Sequence, residues 1–182
     1  AIKLMKEFIN IVLPNFSKFT NISITYGDKK NIQDAVMQSF GLSNLKLLRD
    51  KYEGVLFLDL FTNKIIGEIA VRKTLNWDKI KPRGYNPKVN FNGMKIKIIT
   101  VKYGELPIID KINKEATIFV LNRVDKEAFI CGIADVNTLN SDENVMKLKN
   151  RATKSLDTKV NFIAFDKLKQ FVNQDELKNI LN

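Results

Sequence analysis

Histidine is absent from the 182 residues, and this absence narrows the chemistry open to the chain. Without imidazole there is no histidine general base, no histidine metal ligand and no Ser-His-Asp triad, so catalysis would have to use carboxylates, lysines or hydroxyls. Cysteine occurs once, as Cys131 in the apolar run from Phe129 to Ile133, so no internal disulfide can form. We expect a buried thiol in an intracellular, reducing setting.

Long hydrophobic runs are also lacking. No apolar stretch reaches the roughly 20 residues that a membrane-spanning helix needs, and Lys3, Lys6 and Glu7 interrupt the N-terminal segment. We therefore expect neither a membrane anchor nor a signal peptide. The hydrophobic fraction of 45% predicts one compact domain over residues 1–182 with enough apolar residues to form a real core.

Positive charge is what the chain has in excess. Thirty Lys and Arg residues stand against twenty Asp and Glu residues, which gives a net charge of +10. A positive surface favours a polyanionic partner, and nucleic acid is the first candidate. The alternative is that a chain rich in Lys, Asn and Ile reflects the coding bias of an AT-rich genome, with lysines that only solvate the surface.

Hydrophobic periodicity predicts an α/β fold. Helical spacing predicts helices over 2–13, which Pro14 would end, over 31–40, and over 43–50. Apolar and β-branched runs predict strands over 55–61, 65–71, 94–101, 116–124, 128–133 and 160–165, with a bend at Gly132. Helices are predicted to follow from Asp166 and from Asn173, where Asn-Gln-Asp-Glu has the form of a capping box.

Two acidic residues stand out in the predicted hairpin over 55–71. Asp59 interrupts a hydrophobic run, and Glu68 follows the predicted turn at the start of the next strand's apolar stretch. A carboxylate is costly in such a setting unless it is paired or bound to a metal. A hairpin would bring the two side by side and form a Mg²⁺ or Mn²⁺ site, because oxygen ligands and substrate phosphates suit such ions. The alternative is that both are edge-strand charges or ordinary salt-bridge partners.

The order and spacing of Asp59 and Glu68-Ile-Ala70 resemble the PD-(D/E)xK nuclease superfamily, which includes restriction endonucleases and Holliday-junction resolvases. The resemblance implies a restriction endonuclease-like central mixed β-sheet flanked by α-helices. It also implies metal-dependent hydrolysis of phosphodiester bonds in double-stranded or branched DNA, and it allows a homodimer. The helix over 31–36 would contribute a further acidic or polar residue, Asp34 or Gln33. The pattern continues through 116–133 and 161–168.

The sequence departs from this family at Ala70, where the catalytic lysine is expected. Alanine can neither polarise a phosphate nor orient a water molecule. Three explanations remain open: Ala70 replaces a native lysine and inactivates the protein, Arg72 or Lys73 supplies the cation, or the domain binds DNA without cutting it.

Two basic segments are predicted to contact nucleic acid. The segment over 75–92 mixes cations with aromatic side chains, an arrangement that suits phosphate contact and base stacking, and the segment over 137–158 adds generic phosphate contacts. The predicted binding residues are Trp77, Lys79, Lys81, Arg83, Tyr85, Lys88, Arg151 and Lys154. The alternative for Trp77, and for Phe91 at the end of the same segment, is that these rings pin the segment to the core.

Three functions therefore compete: a metal-dependent endonuclease, a non-catalytic nucleic-acid-binding protein on the same scaffold, and a basic module that recognises an acidic protein. Divalent-metal dependence distinguishes the first two, and salt dependence tests phosphate binding.

Overall fold

The structure of the protein, a computed structural model, describes residues 5–40, 52–76, 88–148 and 158–181. The helices are α1 (Tyr26–Phe40), α2 (Tyr52–Leu75), α3 (Val136–Asn140) and α4 (Gln174–Leu181). Shorter helical turns are Phe8–Val12, Leu13–Lys18, Asp142–Asn144 and Phe165–Lys167. The strands are β1 (Thr20–Ser23), β2 (Lys88–Phe91), β3 (Met94–Lys102), β4 (Ile108–Asp110), β5 (Ala116–Arg123), β6 (Glu127–Ala134), β7 (Val145–Met146) and β8 (Lys159–Phe162).

The strands form two sheets. The larger sheet is mixed and has the order β1-β6-β5-β3-β2, in which β3 and β5 are parallel and the other neighbours are antiparallel. The smaller sheet is antiparallel and has the order β4-β8-β7. The predicted α/β class is confirmed. No helix among the described residues is long and apolar enough to cross a membrane.

The prediction of two strands over 55–71 is wrong, because this region lies within α2. Buried Phe61, Ile65 and Ile69 recur every four residues, which is helical spacing. The intervening Thr62-Asn63-Lys64 lacks the glycine that tight hairpin turns of two or three residues usually contain. The β-branched residues that suggested strands instead pack the buried side of a helix, where tertiary contacts override intrinsic propensity.

Gly67 allows α2 to approach the larger sheet closely. A Cβ atom at this position would lie 1.7 Å from Oγ1 of Thr100 on β3, which no side-chain adjustment at a packed interface absorbs easily. Asn63, one turn earlier, donates a hydrogen bond to the backbone oxygen of Thr100 at 2.9 Å. These two contacts fix the height and the register of α2 above β3.

The larger sheet is buried on both faces. Along β5, Ile118 and Val120 join a first core with α1, α2 and α4, whereas Phe119 and Leu121 join a second core with the N-terminal turns and the smaller sheet. A strand covered on both faces reads as a continuous apolar run, which is why β5 was predictable from the sequence.

The predicted hairpin over 116–133 is confirmed as β5 and β6. Phe119 pairs with Gly132 and Val120 pairs with Ile130, so Cys131 is the extra residue of a bulge. Gly132 has a φ of 132°, and a Cβ atom there would lie 2.8 Å from the backbone oxygen of Lys169, so the predicted bend requires glycine. Cys131 is fully buried, as predicted, and burial raises the pKa of its thiol.

The helix predicted from Asp166 is only the three-residue turn Phe165–Lys167, and several other predicted elements agree in type but differ in their ends. The helix predicted over 31–40 begins earlier, at Tyr26, because Thr25 and Asp28 cap it reciprocally: the backbone nitrogen of Thr25 donates to Asp28 and that of Asp28 donates to the Thr25 hydroxyl. Pro14 does not end the N-terminal helix, which continues as a tighter turn to Lys18. The strands predicted over 94–101 and 160–165 are confirmed as β3 and β8, although β8 ends at Phe162.

The predicted capping box of α4 is confirmed. The backbone nitrogen of Glu176 donates to Oδ1 of Asn173 at 2.9 Å, and the Glu176 carboxylate accepts from the backbone nitrogen of Val172. The helix predicted over 43–50 lies outside the described residues.

Candidate functional site

Asp59 and Glu68 lie on opposite sides of α2. They are nine residues apart, and at about 100° per residue nine residues turn a helix by two and a half turns. The Asp59 side chain is 53% exposed, whereas Glu68 is 4% exposed. The strand hairpin that would have brought the two carboxylates together does not form, so they cannot ligate one metal ion.

Asp59 is held in a surface ion pair instead. Its carboxylate contacts Nζ of Lys102 at the end of β3, and both side chains are about half exposed. Within the described ranges, no three Asp, Glu, Cys or His side chains come together as a group that could hold a metal ion. The described residues therefore do not fit the predicted Mg²⁺ or Mn²⁺ site.

The other residues of the predicted catalytic motif are separated as well. Ala70 is fully buried in the first core, where a lysine would place its charge among apolar side chains. Lys73 contacts the carboxylate of Asp28 and the backbone oxygen of Ser23, so it ties α2 to α1 and β1. Arg72 is partly exposed near the end of α2, and Asp34 is exposed on α1.

Glu68 remains chemically unusual. Burial raises the pKa of its carboxyl from an ordinary value of 4.5 to about 7, although the charge of Lys64 opposes this rise. In the described part of the chain, Oε2 of Glu68 and Oγ1 of Thr100 have no hydrogen-bond partner. A carboxyl of this kind exchanges its proton near neutral pH, which is a property of acid-base groups in functional sites.

Lys64 connects Glu68 to the larger sheet. Burial lowers the pKa of the Lys64 ammonium group, the charge of Glu68 raises it, and the charge of Lys97 on β3 lowers it again. Lys97 therefore lies within electrostatic range of Lys64, which in turn lies one helical turn from Glu68 on α2.

Lys97 on β3 also interacts with a charged residue of the smaller sheet. Its Nζ lies 3.5 Å from Oδ2 of Asp110 on β4, and the other oxygen of Asp110 contacts Nζ of Lys159 on β8. The hydrogen bond from Lys159 holds the pKa of Asp110 below its ordinary value, against burial and together with the charge of Lys97. We call these five residues the charged row: Glu68, Lys64, Lys97, Asp110 and Lys159.

Both predicted nucleic-acid-binding segments rejoin the described chain beside the charged row. Lys88, the first residue after the gap at 77–87, pairs with Lys97 across β2 and β3. Thr158, the first residue after the gap at 149–157, accepts a hydrogen bond from the backbone nitrogen of Lys111 at 2.8 Å, next to Asp110 and Lys159. The remaining predicted binding residues lie outside the described ranges: Trp77, Lys79, Lys81, Arg83, Tyr85, Arg151 and Lys154.

Sequence reasoning did not find four members of the charged row. Lys97 gave a signal, since it alternates with buried Ile96 and Ile98 in a predicted strand. Lys64 lies in the turn that the sequence predicts over 62–64. Asp110 and Lys159 gave no local signal, because their contact depends on pairing between β4 and β8 across nearly fifty residues. Comparison of the chain with protein-family models, with curated proteins and with solved structures gave no match.

Proposed function

We propose that the chain is a nucleic-acid-binding protein and that two lysines of the charged row, Lys97 and Lys159, contact the phosphate backbone together with the exposed lysines around them. The observation that carries the proposal is where the described chain resumes after the two basic segments, which are predicted as binding elements from their composition alone. They enter the described structure at Lys88 and Thr158, on either side of Lys97, Asp110 and Lys159.

The charge around the row supports a polyanionic partner. Asp110 is shared by two lysines, and the nearby Lys95, Lys111 and Lys114 have exposed side chains. Most of the chain's net positive charge falls in the segments outside the described ranges, including the two that end at this face. Lysines of this kind bind phosphate by displacing condensed counterions, which gives sequence-independent affinity that falls steeply with salt.

A restriction endonuclease-like arrangement is part of the proposal. In support, Gln33 and Asp34, the helix residues that the resemblance implies, lie on α1, which precedes the β2–β3 hairpin. The β5–β6 pair contains Gly132, and a variable segment then leads to β8 and α4 in the order that the resemblance implies.

Binding is tested by fluorescence anisotropy with labelled duplex, branched and single-stranded DNA over a range of salt concentrations. A double variant, Lys97→Gln with Lys159→Gln, is compared with Lys6→Gln with Lys126→Gln, which removes two exposed lysines elsewhere. We expect the first double variant to weaken binding by roughly tenfold or more. We also expect it to reduce by about 2 the slope of log affinity against log salt concentration, because each lost phosphate contact lowers that slope by about 1.

Two outcomes would overturn the proposal. One is an equal effect of both double variants, which would make the charged row no more than part of a generally basic surface. The other is equally strong binding of polyglutamate, which would favour recognition of an acidic protein instead.

Cleavage is the second candidate function, and the buried Glu68 carboxyl favours it. Since Asp59 cannot join Glu68 around a metal ion, we assign to Glu68 only an acid-base role. The test measures conversion of supercoiled and branched DNA with Mg²⁺ or Mn²⁺ present. If Glu68 acts in cleavage, Glu68→Gln is expected to abolish activity. Asp59→Asn, the same chemical change on the exposed side of α2, is expected to retain it. If the unmodified chain does not cut DNA, cleavage is rejected as a function.

A further inference from the structure

A groove lies at the end of the larger sheet where β3 and β5 begin and β6 ends. It has a volume of about 610 Å³, and the residues that line it include Lys95, Lys114, Asp135, Val136, Ile180 and Leu181. Ligand pockets in proteins have volumes of about 300–1,000 Å³, so the groove is large enough for one nucleotide.

One wall of the groove is apolar. Ile180 and Leu181 at the end of α4 are partly buried against the first core, and Ala116 at the start of β5 packs beside them. Val136, the first residue of α3, completes this wall and is only partly buried. A flat apolar body that covers this wall would remove its surface from water.

The groove is lined by equal numbers of positive and negative side chains, and this balance limits the charge of a ligand that could bind there. Lys95 and Lys114 stand against Glu115 and Asp135. The carboxylate of Asp135 already accepts a hydrogen bond from the backbone nitrogen of Thr138 at 2.8 Å, which holds its pKa below the ordinary value. A compact multiply charged anion gains little here, whereas a largely neutral ring system with one phosphate group matches both the apolar wall and the lysines.

The groove adjoins the charged row. Lys95 and Lys97 are two residues apart on β3, so their side chains leave the strand on the same face. A strand of nucleic acid whose phosphates contact Lys97 would therefore also pass Lys95, which lines the groove.

We propose that this groove binds one unpaired nucleotide, with its base against Val136, Ile180 and Leu181 and its phosphate near Lys95 and Lys114. The inference rests on the proposed nucleic-acid binding and makes it more specific. A base held in a duplex is stacked and paired, and it cannot enter the groove without being extruded. The chain therefore prefers single-stranded or unpaired DNA to a continuous duplex.

The experiment compares anisotropy titrations of a single-stranded oligonucleotide and its duplex at one salt concentration. The test variant is Val136→Asp, which places a negative charge in the groove at the first position of a helix, where aspartate is well tolerated. The control is Val124→Asp, the same change in an exposed turn at the other end of the eight-residue β5, about 25 Å away. Asp also tolerates the positive φ of position 124.

We expect the unmodified chain to bind the single strand more tightly than the duplex, and Val136→Asp to weaken single-strand binding by roughly tenfold while duplex binding changes no more than in Val124→Asp. Retained duplex binding shows that the variant is folded. Equal affinity for both forms, or equal loss in both variants, overturns the groove assignment and leaves the proposed function in place. Absence of binding to either form overturns the proposed function and this inference together.

Discussion

Replacing Glu68 with glutamine should make the protein more stable at neutral and alkaline pH. The carboxyl is 4% exposed, and burial raises its pKa to about 7. Above that pH the folded protein carries a desolvated carboxylate, with only the charge of Lys64 in its favour. Glutamine keeps the shape of the side chain and removes the charge.

The expected magnitude follows from the two pKa values. Between an ordinary value of 4.5 in the unfolded chain and about 7 in the folded chain, at about 1.4 kcal/mol for each pKa unit, the ionised carboxyl costs about 3 kcal/mol. The glutamine amide, buried without a partner, costs roughly 1 kcal/mol in return. The net gain in the free energy of unfolding at pH 8 is therefore about 2 kcal/mol.

The sign of the pH dependence of stability follows from the difference in proton binding between the folded and unfolded states. Between pH 4.5 and 7 the folded protein retains a proton on Glu68 that the unfolded chain has lost, so the free energy of unfolding falls as the pH rises through this window. Below pH 4.5 both states are protonated and the contribution is fully present. The absence of histidine leaves few other groups that titrate between pH 5 and 7.

The assay is urea unfolding followed by circular dichroism at intervals from pH 4.5 to pH 8, on the unmodified chain, Glu68→Gln and Asp59→Asn. We expect the decline in stability to disappear in Glu68→Gln and to persist in Asp59→Asn, where the replaced carboxyl is half exposed. The reasoning is refuted if the unmodified chain does not lose stability between pH 5 and 7.5, or if Glu68→Gln loses it with the same slope.

Three further substitutions test the packing of α2 and the capping of α4. Ala70→Lys should destabilise the fold by about 3 kcal/mol or more in chemical unfolding, because the side chain is fully buried among apolar residues; a neutral effect would mean that this side of α2 is open to water. Gly67→Ala should cost about 1–3 kcal/mol despite the better helix propensity of alanine, and Thr100→Ala should restore part of the loss; additive effects would contradict the close approach of α2 to β3. Asn173→Ala should lower the free energy of unfolding by about 1 kcal/mol through loss of the cap, and an unchanged urea midpoint would disprove that role.

The sequence predicted the parts of the fold that are specified locally. β5 and β6 were predictable from continuous apolar runs, and β3 and β8 from shorter local patterns of apolar and polar residues. Asn173 marked the start of α4 because its side chain can cap a helix. The sequence did not predict α2 because its β-branched residues favour strands, although Phe61, Ile65 and Ile69 have helical spacing; its packing against Thr100 and the first core is consistent with the helix.

The candidate site was less predictable than the fold. Glu68 was singled out correctly as a carboxyl in an apolar setting, but its partner was wrong, since the alternation of a strand and the turn of a helix bring different residues together. The contact of Lys97 with Asp110 requires the position of the smaller sheet, and no pattern within β3 or β4 alone gives that position.

The pairing of β4 with β8 has a consequence for how the protein assembles. The β5–β6 hairpin joins residues that are near in sequence, whereas Asp110 meets Lys159 only after a segment of nearly fifty residues has closed, and β1 pairs with β6 across more than a hundred. To form contacts of such long sequence separation, the chain must first lose the entropy of closing a long loop, and this loss is recovered only when the contacts form. Such contacts therefore slow folding. The charged row is therefore complete only when both sheets have formed, so a ligand that binds it raises the free energy of the openings that disrupt the row and leaves other local openings unchanged.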